Sequence, residues 1–153
     1  MISIESDIVL EKNEVIFIDS DSVCNLINCF IVNAVADVCN SIISTIVFEN
    51  KSSAISYLFN NQKHTINRLV FLNIVSLDDD WFEILDLYQR VGALDKVYIL
   101  SAAIDSKLKQ KCINYSSVID YIEKPLTMEF FHSIVSVKRS KRIYTLNNSI
   151  QFL

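Results

Sequence analysis

Arg68-Leu69-Val70-Phe71-Leu72-Asn73 is the stretch on which the reading of the whole chain turns. A charge leads into an unbroken apolar run, which stops abruptly on a carboxamide. Apolar residues without alternation are what a strand covered on both faces of a parallel sheet requires. The next residues, Ile74-Val75-Ser76-Leu77-Asp78-Asp79-Asp80-Trp81, read as a loop feeding a helix. In open α/β sheets ligands bind in the crevice outside the carboxyl ends of the strands, so Asn73 stands where a functional group is expected.

The same grammar recurs on either side. Val15-Ile16-Phe17-Ile18 is a buried strand ending at Asp19-Ser20-Asp21-Ser22, residues suited to capping a helix. Val23, Leu26, Ile27, Phe30, Ala34 and Val35 then fall at helical spacing and are expected to form its packing stripe. Residues 42–48 predict a second strand, and Ser52 or Ser53 a cap for a helix through Ala54, Ile55, Leu58 and Phe59. Asp78, Asp79 and Asp80 are placed to complement the dipole of a third helix carrying Trp81, Ile84, Leu85, Tyr88 and Val91, with Gly92 at its end. Lys96-Val97-Tyr98-Ile99-Leu100-Ser101 is a fourth strand, and Ile104, Leu108 and Cys112 mark a fourth helix. Val118-Ile119-Asp120-Tyr121-Ile122 is a fifth strand closed by Glu123-Lys124-Pro125, after which Thr127 caps a helix through Phe130, Phe131, Ile134 and Val135.

Strands alternating with helices of this length imply βαβ units and an α/β fold, a three-layer doubly wound five-stranded parallel sheet. Right-handed crossovers leave few topologies, of which the order 2-1-3-4-5 is the common one. That order gathers Asp19, Asn73, Ser101 and Lys124 at one edge of the sheet. The chain divides into an N-terminal arm (1–14), a domain (15–139) and a C-terminal tail (140–153).

Bulk properties narrow the function. A chain of 153 residues makes one domain of common size, able to bury about two-thirds of its unfolded surface. Its hydrophobic content of 51% calls for a test of membrane insertion. The least charged stretch, residues 22–48, holds only Asp37, but Asn25, Asn28, Asn33 and Asn40 interrupt it, so no span is expected. The first residues lack the basic start of a signal peptide, which points to the cytoplasm. A net charge of −4 argues against direct nucleic-acid binding. Cys24, Cys29, Cys39 and Cys112, with His64 and His132 distant in sequence, show no metal-ligand spacing.

The gathered residues resemble the receiver domain of bacterial two-component response regulators, over residues 15–137. Ile18-Asp19-Ser20-Asp21 stands where that family has an acidic pair, and Leu72-Asn73 where it has the phosphoacceptor aspartate. Leu100-Ser101-Ala102 resembles its Ser/Thr-Ala, and Tyr121-Ile122-Glu123-Lys124-Pro125 its aromatic, x, x, Lys-Pro. The resemblance implies a cis peptide before Pro125, a switch aromatic at Tyr121, and a hydroxyl at Ser101 that would meet a phosphoryl oxygen.

Two departures change the chemistry this resemblance would carry. The family's nucleophile is a carboxylate that forms an aspartyl phosphate; Asn73 has no such oxygen. Ser20 replaces the acidic residue expected to bind Mg²⁺, an ion that demands hard anionic ligands. The resemblance implies three carboxylates and one lysine, whereas Asp19 and Lys124 alone sum to zero unless Asp21 swings inward. Negligible Mg²⁺ affinity, no metal, no cofactor and no catalytic set are therefore expected. Lys124, without phosphate, needs a partner, for which Asp19 and the Asn73 carbonyl oxygen are the candidates.

The reading is a pseudo-receiver in phosphorelay signal transduction. It acts by protein-protein interaction through the face of helix 4, strand 5 and helix 5, with a signalling protein or a second copy. An alternative keeps receiver chemistry on another carboxylate, Asp21 or Asp78-Asp80. Another is a flavodoxin-like flavin binder, which shares the strand order but wants a phosphate cradle free of the like charges of Asp19 and Asp21. Lys138-Arg139-Ser140-Lys141-Arg142 reads as a solvated, dipole-complementing helix end, and Ile143, Leu146, Ile150 and Leu153 as an appended amphipathic helix.

Overall fold

Each apolar run of the sequence becomes a strand whose alternate side chains enter two different cores. The computed structural model describes residues 13–60, 67–93, 95–102 and 105–135. The elements alternate as β1 (Asn13–Ile18), α1 (Ser22–Cys39), β2 (Ile43–Phe48), α2 (Lys51–Asn60), β3 (Asn67–Leu72), α3 (Phe82–Val91), β4 (Lys96–Ser101), α4 (Ser106–Ile113) and β5 (Val118–Glu123). A last helix, α5, is described over residues 128–135. The five strands are parallel in the order β2-β1-β3-β4-β5, as expected. Because β1 begins at Asn13, the expected boundary between arm and domain at residues 14 and 15 falls inside a strand. The rest of the arm, Ile104, the basic run and the tail lie outside the described residues.

Period-two alternation explains why the central strands β1, β3 and β4 are apolar on both faces. Ile16, Ile18, Val70, Leu72, Val97 and Ile99 face α2, α3 and α4, where Ala54, Leu58, Leu85, Tyr88, Leu108 and Cys112 meet them. Their neighbours Val15, Phe17, Leu69, Phe71, Tyr98 and Leu100 face α1 and α5, against Val32, Val35 and Phe131. Phe71 lies between Phe17 and Tyr98 with ring centroids 5.2 and 5.3 Å away, a stack that adds to simple area burial. One register shift, between Val97 and Tyr98, makes Ile119 an extra residue in β5 and leaves it 54% exposed.

Caps and helix packing follow the chain's chemistry with three differences from expectation. Asp21 caps α1, accepting from the Val23 and Cys24 amides at 3.0 and 3.1 Å. Asn50, not Ser52 or Ser53, caps α2, accepting from the Ser53 amide at 3.2 Å and the Ser52 hydroxyl at 2.6 Å. Ahead of α3 the aspartates brace a loop more than they serve a dipole: the Asp79 carboxylate accepts from Val75 N and Trp81 N, each at 3.0 Å. Gly92 ends α3 with φ +68°, as its position predicted, and Asn40 does the same for α1 with φ +50°. Thr127 caps α5, its hydroxyl accepting from Phe130 N at 3.1 Å.

The third difference concerns which face of α1 packs. Asn25, Asn28, Ile31, Val32, Val35 and Cys39 are buried, while Val23, Leu26, Ile27 and Phe30 of the expected stripe are exposed. With apolar residues on both sides of the helix, spacing alone selected the wrong one. By length and composition α1 could cross a membrane; in the structure one side of it packs on the sheet.

At the opposite edge of the sheet from Asn73, Arg68 leads into β3. Its guanidinium donates to both oxygens of Asp95 at 3.0 and 2.6 Å and to the Leu58 carbonyl at 2.9 Å. The Tyr88 hydroxyl donates to Asp95 at 2.7 Å, so a nearly dry charge has every partner it needs.

Candidate functional site

The parallel ladder continues one residue past the strands, and that extension builds the site. Asp19 N donates to Phe48 O, and Asn73 N to Ile18 O, each at 3.0 Å. Lys124 N donates to Ser101 O at 2.8 Å. Asp19, Asn73 and Lys124 are thereby fixed in a row along the carboxyl edge of β1, β3 and β5, although 105 residues separate the first from the last. The Lys124-Pro125 peptide is cis, as the resemblance implied.

Asp19 is the hub. Its side chain is 5% exposed, and Lys124 Nζ lies 2.6 Å from its Oδ2. Asn73 Nδ2 donates to its Oδ1 at 3.1 Å, and the Asp21 amide donates to the same oxygen at 2.9 Å. The side-chain amide of Asn25 holds the Asp19 carbonyl at 2.8 Å. A buried carboxylate demands this many donors, since an uncompensated charge at such a site is costly.

Asn73 presents its amide nitrogen to Asp19, the orientation in which the contact is attractive. Its carbonyl oxygen is buried with no hydrogen-bond partner among the described residues. Of the two partners expected for Lys124, Asp19 is therefore the one found, while the Asn73 oxygen receives no hydrogen bond from the described residues. Ser101 is fully buried, and its hydroxyl donates to the Ile74 carbonyl at 2.6 Å, tying the β3 loop to β4. Tyr121 is half-buried and packs against the core shared with α3 and α4.

The remaining candidates lie apart from this row. Ser20 is exposed. Asp21 is committed to the α1 cap, and its hydrogen bonds from the Cys24 amide and thiol hold its carboxyl below the usual range. Asp80 pairs with Lys51 at 3.2 Å, and Asp79 braces its own loop. Among the described residues no group of three or more His, Cys, Asp or Glu could hold a metal ion.

Three contributors were not evident from the sequence. Asn25 counted there only as a polar break in an apolar run; helical spacing from its cap at Asp21 turns it toward the sheet. Ile74 contributes a backbone carbonyl, for which no side-chain signal exists. Cys24 Sγ lies 3.8 Å from Lys124 Nζ, and burial pushes its thiol pKa up, so it is a neutral wall of the site.

No family model matches the chain, and no curated protein matches it either. Solved structures do. The receiver domain of a Francisella response regulator superimposes with a TM-score of 0.60 at 21% identity, over 83% of this chain and 98% of that one. A two-component response regulator from Cytophaga hutchinsonii gives 0.65 at 19% identity, over 82% and 96%. A CheY-like receiver domain protein from Methanospirillum hungatei JF-1 gives 0.61 at 12% identity, over 88% and 99%. At these identities the likeness is one of fold: the chain has the flavodoxin-like fold of response regulator receiver domains.

Proposed function

We propose that this chain is a pseudo-receiver, a signalling module in two-component or phosphorelay transduction that works by protein-protein interaction without being phosphorylated. The observation that carries the reading is the closed charge balance at Asp19. One carboxylate is held by one ammonium and by the Asn73 amide, at 2.6 and 3.1 Å. Such a pocket has no surplus negative charge to attract Mg²⁺ and no carboxylate at position 73 to attack a phosphoryl group. Locking donors onto the hub replaces the ligand-dependent state with a permanent one.

Output then depends on a surface. Ile113, Ile119 and Met128, 42%, 54% and 44% exposed, supply apolar points on the face of α4, β5 and α5. We assign partner binding, or pairing with a second copy, to that face, with Tyr121 beneath it. The test is phosphotransfer: the purified chain, incubated with acetyl phosphate and Mg²⁺, should gain no phosphoryl adduct by intact mass. An adduct mapped to any aspartate would overturn the reading. The double change Ser20→Asp, Asn73→Asp should restore labelling, which shows that the assay reports on this pocket.

A further inference from the structure

Helix α1 has two apolar faces, and the sheet accounts for one. Opposite the buried residues, Val23, Leu26, Ile27, Phe30 and Val38 are 63%, 73%, 49%, 73% and 74% exposed. Their spacing places them on one stripe about 22 Å long at the rise of an α-helix. Scattered apolar residues on a surface are ordinary, but a contiguous stripe marks a contact.

The geometry points to the chain's own segment Ile143–Leu153, docking as an amphipathic helix along this stripe. The point of departure fits. Phe131 and Val135 of α5 share a core with Ile31, Val32 and Val35 of α1, so α5 lies in the same layer. Lys124, just before α5, reaches Cys24 in the first turn of α1. Both helices run back from the carboxyl edge of a parallel sheet, so α5 at residue 135 points to the side on which α1 ends.

Length and pattern fit as well. Residues 136–142 can reach roughly 20 Å when extended, more than the 8–10 Å between packed helix axes. Ile143, Leu146, Ile150 and Leu153 recur in steps of three and four, an apolar seam about 15 Å long when helical. Charge supplies the third argument. The last turn of α1 has no basic residue, and Asp37 is exposed there. Lys138, Arg139, Lys141 and Arg142 would arrive beside that helix end, where cations are favoured. Helix α1 contains no Lys or Arg, so a second copy of that helix laid against it would bring no cation of its own to Asp37.

The test uses the full chain with ¹³C-labelled Ile and Leu methyl groups. Methyl NOEs are expected between Leu26 or Ile27 and Ile150 or Leu153. They should be absent as intermolecular peaks when labelled and unlabelled chains are mixed. Leu146→Glu with Ile150→Glu should abolish them and speed exchange of the 143–153 amides about tenfold, the change for losing a state populated nine times in ten. Phe30→Glu, at an exposed site that leaves folding intact, should release the tail equally. Equal exchange in wild type and variants would overturn the proposal, as would NOEs seen only between chains, which would give the stripe to a second copy. Contact that forms only on anionic vesicles would overturn it too.

Discussion

Replacing Asn73 by aspartate tests the pocket directly, because it converts an attractive 3.1 Å contact into two facing carboxylates. Two unit charges at that distance repel by about 5 kcal/mol at an effective dielectric constant of 20. The Lys124 ammonium, 2.6 Å from Asp19, offsets part of this, and the new carboxyl can take up a proton. Added to this is the lost hydrogen bond to a charged acceptor, about 1.5–3 kcal/mol. A net loss of about 2–4 kcal/mol is expected at pH 7.5 without divalent ions, which for a chain of this size lowers Tm by roughly 5–15 °C. The sign with pH comes from the like charge, which raises the folded-state pKa of the new carboxyl. The variant is therefore closest to wild type in acid and falls behind as pH rises through that pKa. Urea denaturation at pH 5 and 7.5, with EDTA or millimolar Mg²⁺, reads all of this. Wild type should ignore Mg²⁺, and the variant should be partly rescued by it. A variant as stable as wild type at pH 7.5 in EDTA would refute the charge-balance argument.

Other perturbations bear on the same structure. Lys124→Met strips a side chain that is 15% exposed from its carboxylate partner and should cost about 3 kcal/mol in urea denaturation; adding Asp19→Asn should recover much of it, since the uncompensated charge is then gone. Phe71→Ala opens the stack with Phe17 and Tyr98 and should cost about 3–5 kcal/mol without altering the pocket, measured by thermal unfolding. Burial, aided by hydrogen bonds to Glu14 and Asp86, pushes the Tyr57 and Tyr115 hydroxyls up to about 12. These protons are held more tightly folded than unfolded, so stability should be flat to about pH 10 and fall between there and pH 12. Phenolate absorbance appearing from all six tyrosines near pH 10 in the folded chain would contradict the assignment.

The strands, their order and the edge that carries the site were legible in the sequence, because a strand covered on both faces must be apolar at every position. Val15-Ile16-Phe17-Ile18 and Leu69-Val70-Phe71-Leu72 say so without reference to anything distant. The polar residues at the ends of β1, β3 and β5, Asp19, Asn73 and Lys124, could be placed together as soon as a parallel order was assumed. Gly92 was equally readable, since a helix that ends in left-handed backbone selects for the residue without a Cβ.

What only the tertiary structure decided was direction and partnership. Whether α1 turns Leu26 and Phe30 or Ile31 and Val35 to the sheet depends on how the helix is rotated on leaving β1, and both sides are apolar enough for either. Arg68 reads as a bare charge until Asp95, Tyr88 and Leu58 close around it. Asn73 shows the division most sharply. Its identity alone excluded a carboxylate nucleophile at that position, but which way its amide faces depends on a carboxylate more than 50 residues away. Local pattern is set by burial, which each residue carries in its own side chain; electrostatic pairing is set by distances that exist only once the sheet has formed.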